Sequence, residues 1–131
     1  MNTLSKILKL LGLKYVVATG TLDYWTYTEY SDGTFVASYA MDFTAKPGVA
    51  ILTAGANGVY VPSVTESARK YPRTYKTIDY TNAYISKGSV NMFTGGGSWA
   101  NGVYTFRPLI LSNTNSIPAH TVNIDIRGIW K

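Results

Sequence analysis

The chain has 131 residues, of which 46% are apolar and 15% charged, and it carries a formal net charge of +5. This balance excludes a disordered chain and a long solvated helix, and the length fits one domain with a single core. The absence of cysteine excludes disulfides, thiolate metal sites and a cysteine nucleophile, while eleven tyrosines and twelve glycines favour short strands joined by tight turns.

The N-terminal segment "MNTLSKILKLLGLK" predicts a short amphipathic helix within residues 1–13, capped by Thr3 and stopped by Gly12. Lys6 and Lys9 interrupt the apolar run and no small-residue cleavage site follows, so we do not interpret the segment as a cleaved signal peptide. The apolar stripe at helical spacing consists of Leu4, Ile7, Leu8 and Leu11. It would form an inter-subunit stem, pack on the domain, or lie on a membrane surface, and the stem is the preferred interpretation.

The next stretch, "TLDYWTYTEYSDGTFVASYAMDF", predicts a β-hairpin around a two-residue turn at Asp32–Gly33. In that register Phe35 lies on the face that forms the core. Trp25, opposite Ala40, lies with Tyr27 on the other face, where a second sheet, a neighbouring subunit or a ligand must cover them. We assign Trp25 and Tyr27 to a subunit interface.

The rest of the chain predicts further strands in "KPGVAILTAG", "NGVYVPS", "YPRTYKTIDYTNAYIS", "SVNMF" and "VYTFRPLIL", and a flexible loop in "TGGGSWANG". Alternation is clearest in "TVNIDIRGIW", where one side carries Val122, Ile124, Ile126 and Trp130. The strands predict an all-β fold over residues 14–131, an antiparallel β-sandwich of the jelly-roll type that follows the short helix.

Catalytic chemistry has few candidate residues. His120 is the only histidine and stands at a strand entry, where a structural role is the usual one, and no G-x-S-x-G nucleophile elbow is present. The carboxylates are scattered and no second histidine or cysteine exists, so we expect no metal and no cofactor. A glycosidase carboxylate pair built across a subunit boundary stays open, but the chain is predicted not to be an enzyme.

Recognition by aromatic rings is the remaining chemistry. Trp99 and Asn101, in the glycine-rich loop, are candidates for stacking on a sugar and bonding its hydroxyls, unless Trp99 plugs the end of the sandwich. A second candidate set combines rings with positive charge: Arg69, Tyr71, Arg73 and Tyr75. This set would meet an acidic glycan or phosphate, or it is a solvated edge that prevents aggregation. Stacking of single-stranded nucleic acid is a minor alternative, because no RNA-binding signature is present.

Three stretches carry a resemblance to a known family. "WTYTEYSDGTFVASY" resembles the "WTYRKWSDG" type of hairpin in C-terminal domains of bacteriophage tail-fibre and receptor-binding proteins. "YPRTYKTIDYTNAYI" is similar to their middle segment, and "VNIDIRGIWK" to their last strand, which commonly finishes in a "GRWK"-like tail. The departures are Thr28 and Glu29, where the family often has basic residues, and Ile129, where arginine is usual.

The resemblance implies a homotrimeric β-sandwich knob on a phage tail, which attaches the virion to a glycan or another receptor on a bacterial surface. Its other partners would be virion tail proteins, with no nucleic acid and no membrane insertion, and the N-terminal helix would be the remnant of a trimeric stem. Two further classes stay open: a carbohydrate-binding module of a secreted enzyme, and a purely structural virion subunit such as a collar, baseplate or head-decoration protein.

Overall fold

The computed structural model describes residues 2–47, 49–54, 57–61, 66–88, 91–111 and 116–131, without the side chains of 46–65, 89–96 and 107–115. Strands account for 60% of the structure and its sheets are antiparallel, which agrees with the all-β prediction. Of the predicted strands, residues 48 and 55 of "KPGVAILTAG", residues 62–63 of "NGVYVPS" and the first two residues of "SVNMF" lie outside the described residues.

The elements follow one another along the chain as one helix and a series of strands. They are α1 (Thr3–Leu10), β1 (Val16–Leu22), β2 (Trp25–Tyr30), β3 (Thr34–Phe43), β4 (Lys46–Pro47), β5 (Val49–Ala54), β6 (Asn57–Val61), β7 (Glu66–Ser67), β8 (Thr77–Lys87), β9 (Asn91–Ala100), β10 (Val103–Leu111), β11 (Ser116–Ile117) and β12 (His120–Ile129). One five-stranded sheet has the order β1-β2-β3-β12-β8. A second has the order β5-β6-β10-β7 with β9 also paired to β10, and β11 pairs with β4.

The chain divides into two compact units. Unit 1 contains residues Met1–Tyr39, Pro72–Asn82 and Ile124–Lys131, and unit 2 contains Ala40–Tyr71 and Ala83–Asn123. Unit 1 thus collects three segments that lie far apart in the sequence. The division predicted from the sequence, a helix at 1–13 followed by a knob domain at 14–131, stays a prediction.

Helix α1 has defined caps at both ends. Asn2, not Thr3, is the N-cap, because its side-chain oxygen accepts a hydrogen bond from the Ser5 amide (2.8 Å). At the C-terminus Gly12 has φ +70°, and its amide donates to the Lys9 carbonyl while the amide of Leu13 donates to the Leu8 carbonyl. This is a Schellman motif, and it confirms the predicted stop at Gly12.

The hairpin β2–β3 has a register one residue away from the predicted one. Trp25 pairs with Tyr39, not with Ala40, because the connection is the three-residue turn Ser31–Asp32–Gly33. Gly33 has φ +89° and its amide donates to the Tyr30 carbonyl (3.0 Å), as in a type I turn followed by a left-handed residue. Asp32 accepts from the amide and the hydroxyl of Thr34. Both hydrogen bonds lower the pKa of the Asp32 carboxyl, and the bond from the Thr34 hydroxyl has the larger effect.

A one-residue shift in register moves every side chain of one strand to the opposite face relative to its partner strand. Trp25 (0% exposed) therefore lies on the same face as Phe35 (1%) and Ala37 (5%), and its ring packs on Tyr39 with centroids 5.2 Å apart. The prediction that Phe35 faces the core is confirmed. The prediction that Trp25 lies on the opposite face is wrong, and the aromatic residues of the hairpin need no second covered face.

Strand β12 matches its predicted alternation. Val122, Ile124 and Ile126 are at most 1% exposed, while Asp125 and Arg127 lie on the more open side. Gly128, next in the buried row, has no room for a side chain. A Cβ there would overlap the Thr77 carbonyl oxygen and come within 2.8 Å of the Phe35 ring and 3.0 Å of the Ile78 Cα.

The stretch "TGGGSWANG" is not the flexible loop that we predicted. Residues through Ala100 belong to β9, which pairs with β10 from Ala100 opposite Val103 to Asn91 opposite Leu111. Gly97 lies opposite Phe106 and under the ring of Tyr104, where a Cβ would overlap the phenol. Glycine is disfavoured in strands, but at this position the strand needs a residue without a side chain, because the Tyr104 ring occupies the space.

Candidate functional site

The candidate ligand-binding residues Trp99 and Asn101 lie at the tip of the β9–β10 hairpin. Asn101 (φ +52°) and Gly102 (φ +77°) form its two-residue turn, and both have the left-handed conformation that a type I′ turn requires. The Gly102 carbonyl accepts a hydrogen bond from the Tyr71 amide (2.8 Å), which holds the turn in place. Asn101 itself is exposed and presents its amide at the tip.

Trp99 is the outer member of a row of three rings. Its ring packs on Tyr104 (centroids 5.3 Å apart, tilted by 31°), and Tyr104 stacks on Phe106 (5.5 Å, 12°). Tyr104 and Phe106 are buried, whereas Trp99 is half-buried. Burial raises the pKa of the Tyr104 phenol above its ordinary value. The row holds the Trp99 ring in a defined position while part of its surface stays accessible, an arrangement suited to stacking on a ligand.

The second candidate set falls into different environments. Arg69 is exposed and Tyr71 is 2% exposed, both in unit 2. The Tyr71 ring therefore offers no face to a ligand and is a core residue. Arg73 and Tyr75 belong to unit 1, and both are half-buried.

Arg73 is held by a buried carboxylate. Its Nε and Nη2 donate to the two oxygens of Glu29, at 2.9 and 2.8 Å, and its guanidinium lies over the Tyr27 ring, 4.7 Å from the centroid. Glu29 is only 3% exposed. Two parallel charge-assisted hydrogen bonds and a stacked ring fix the Arg73 side chain in one position. Its main role is thus to neutralise Glu29, a pairing that the sequence analysis missed because 44 residues separate the two.

The residues assigned to a subunit interface also differ in exposure. Trp25 is fully buried within the single chain and Tyr27 is half-buried beneath Arg73, so the register argument that assigned them to an interface no longer applies. On the helix, Leu8 is half-buried and the other stripe residues are exposed, with Leu4 at 63%, Ile7 at 48% and Leu11 at 66%. The alternative in which this stripe packs on the chain's own domain is therefore wrong for these three.

His120 has a structural environment. It is 5% exposed, its ring stacks on Phe43 (5.1 Å), and Nδ1 lies 2.8 Å from the Pro118 carbonyl oxygen. Since a carbonyl only accepts, Nδ1 carries the proton. Among the described residues, no group of three or more His, Cys, Asp or Glu side chains could hold a metal ion.

The fold and these surfaces define a mostly β protein with one short amphipathic helix and a half-buried tryptophan beside a hairpin tip. No protein-family model, curated protein or solved structure matches the chain. In the part of the chain that the structure describes, no helix is long and apolar enough to cross a membrane.

Proposed function

We propose that the chain is a receptor-binding domain of a bacteriophage tail fibre, a homotrimeric β-sandwich that attaches to glycan on a bacterial surface. The observation that carries the proposal is that most of each of the three stretches resembling such domains lies in unit 1. These parts are residues 25–39 of the β2–β3 hairpin, Pro72–Asn82 and Ile124–Lys131, which come from distant parts of the sequence. Their contribution to one compact unit supports the interpretation of the three stretches as parts of one domain.

Specific contacts join the three stretches. The backbone amide of Trp130 donates to the Gly33 carbonyl (2.8 Å), and its indole donates to the Tyr30 carbonyl (3.0 Å), so the tail is bonded to the hairpin turn. The Lys76 amide donates to the Ile129 carbonyl (2.7 Å), which joins the middle segment to the tail. The Glu29–Arg73 pair joins the hairpin to the middle segment. Each stretch thus contacts the other two.

The glycan site in this proposal is the hairpin tip at Trp99 and Asn101. Sugars present apolar C–H faces that pack on an indole, and their hydroxyls bond to an exposed side-chain amide. Both side chains are accessible at the tip, whereas Tyr71 is buried and Arg73 is bonded to Glu29. Exposed Arg69 and half-buried Tyr75 stay secondary candidates.

The test measures binding of the purified chain to a glycan array and to intact cells of a panel of bacterial strains. We expect Trp99→Ala to weaken binding by at least about tenfold, since aromatic anchors in a binding site contribute about 2 kcal/mol or more. Asn101→Gly should weaken it less, because glycine keeps the left-handed turn and removes only the amide. Tyr80→Ala, at a 47% exposed ring in unit 1, is the matched control and should bind like the wild type.

Two outcomes would contradict the proposal. Absence of binding to every glycan and every strain would favour a structural virion subunit. Binding by a monomer would favour the carbohydrate-binding module. If binding survives Trp99→Ala but is lost in Arg69→Ala, the receptor-binding function would stand and the site would be wrong.

A further inference from the structure

The helix α1 has its apolar side turned towards solvent. Leu10 is 87% exposed, and Leu4, Leu11 and Ile7 are between 48% and 66% exposed, whereas the buried residue of the helix is Ser5. Asn2 and Ser5 line a cavity of about 360 Å³ together with residues 15–19 at the start of β1. The helix therefore packs on unit 1 through its polar side, which is the reverse of an ordinary surface helix. A contiguous exposed apolar surface of this kind marks an interaction site.

The segment that follows the helix is attached to the β2–β3 turn. The Tyr15 amide donates to the Ser31 hydroxyl (3.1 Å) and the Ser31 amide donates to the Tyr15 carbonyl (2.9 Å). Lys14 Nζ donates to the Thr34 hydroxyl (3.0 Å) and lies 3.3 Å from the Asp32 carboxylate. Together with the Schellman motif at Gly12, these bonds fix the point from which the helix projects.

The charged side chains of the helix and the strand that follows it are all positive. Residues 2–22 contain three lysines and no aspartate or glutamate. Lys14 is bonded to Asp32, while Lys6 and Lys9 are exposed on the helix, and the structure records no ion pair between either of them and a described residue. At 100° per residue Lys6 lies beside Leu10 at the edge of the apolar side, and Lys9 lies on the opposite side of the helix. A helix that combines an apolar side with positive charge alone is complementary to a surface that combines hydrocarbon with negative charge.

The shape of the apolar surface distinguishes lipid from a second copy of the chain. At 100° per residue, the five side chains Leu4, Ile7, Leu8, Leu10 and Leu11 cover an arc of about 160°, wider than the narrow seam of a coiled coil. The helix is also only eight residues long, little more than one heptad, whereas a coiled coil sustains its apolar repeat over three or four heptads. We propose that the apolar arc of α1 binds an anionic lipid surface, lying in the plane of the headgroups with Lys6, at the edge of the arc, beside the phosphates.

The test is cosedimentation of the full chain with vesicles, of phosphatidylcholine alone or of phosphatidylcholine with phosphatidylglycerol. We expect binding to the anionic vesicles only, and loss of that binding when the salt rises from about 25 mM to about 500 mM. The charge reversal Lys6→Glu/Lys9→Glu should weaken binding by at least about tenfold, since each lysine near an anionic surface contributes on the order of 1 kcal/mol. Ile7→Ser/Leu10→Ser should weaken it to a similar extent, and both variants should fold, because all four side chains are exposed.

The matched control is Lys70→Glu/Lys76→Glu, which makes the same charge change at two exposed lysines outside the helix and should bind like the wild type. Equal weakening in this control would overturn the proposal in favour of a general charge effect. Absence of binding to anionic vesicles would also overturn it. If Ile7→Ser/Leu10→Ser lowers the solution mass of the chain, the arc is an interface between copies. Glycan and cell binding through Trp99 is measured without lipid, so this proposal and the receptor-binding one fail independently.

Discussion

Glu29 and Arg73 form the most tightly held charge pair that the structure describes, and their burial is unequal. The Glu29 side chain is 4% exposed and that of Arg73 is 35% exposed. Removing the arginine therefore leaves a carboxylate that water reaches poorly, and the chain must either protonate it or open around it. In buried pairs this loss costs more than the pair itself contributes to stability.

We expect Arg73→Met to lower the free energy of unfolding by about 2–3 kcal/mol, the lower part of the range for buried pairs because Arg73 is partly solvated. Urea unfolding at neutral pH measures this, with Lys70→Met as the control at an exposed lysine. The double variant Glu29→Leu/Arg73→Met should recover much of the loss, since no unpaired charge remains. An Arg73→Met chain as stable as the wild type would show that water reaches Glu29 freely.

Gly128 is required for its size, not for its backbone conformation. A Cβ at this position would overlap the Thr77 carbonyl and press on the Phe35 ring. Because a backbone atom cannot swing aside, we expect Gly128→Ala to lower the free energy of unfolding by about 3 kcal/mol or more. Gly20→Ala is the matched control, since a Cβ there meets Tyr27 at an ordinary 3.4 Å. Equal midpoints for the two alanine variants in urea would contradict the close approach of β12 to β8.

At the scale of the element, the β2–β3 hairpin decides where Trp25 lies. Fully buried against Tyr39, its ring stabilises the single chain, so Trp25→Ala should lower the free energy of unfolding by about 3–5 kcal/mol. Urea unfolding measures this, while light scattering at low denaturant should give an unchanged mass. Tyr24→Phe, at a 66% exposed ring, should leave both values unchanged. A stable Trp25→Ala chain of smaller mass would instead place Trp25 at a subunit interface.

The same hairpin shows what the sequence could not predict. "SDG" between two alternating segments fits a two-residue turn at Asp32–Gly33 and a three-residue turn that includes Ser31. The choice depends on the left-handed conformation of Gly33 and on the bonds from Asp32 to Thr34, and it changes the strand register by one residue. Strand β12 was predictable because it is ten residues long and its own alternation of apolar and polar residues shows which side chains face the core, without reference to a turn.

The residues of the candidate site were predictable from the sequence, but the local structure that holds them was not. Trp99 and Asn101 were chosen for their side-chain chemistry, and the structure brings them together at one hairpin tip. Three successive glycines disfavour a strand, but the Asn101–Gly102 dipeptide is the signal of a two-residue hairpin and predicts the turn that the loop interpretation missed. Glu29 and Arg73 could not be paired from the sequence, because no local pattern connects residues 44 positions apart.

At the scale of the whole molecule, oligomeric state separates the open interpretations. The proposed tail-fibre domain is a homotrimer, so light scattering behind a sizing column should give three times the 14.4 kDa of one chain. The apolar arc of α1 is assigned to lipid, and the trimer should therefore persist in Ile7→Ser/Leu10→Ser. A monomeric wild type would remove the trimer and favour a carbohydrate-binding module. If the wild type is a trimer and Ile7→Ser/Leu10→Ser is not, α1 is an inter-subunit stem. Both substitutions lie at exposed positions of the apolar arc, so they can weaken the trimer only if the arc contacts another subunit.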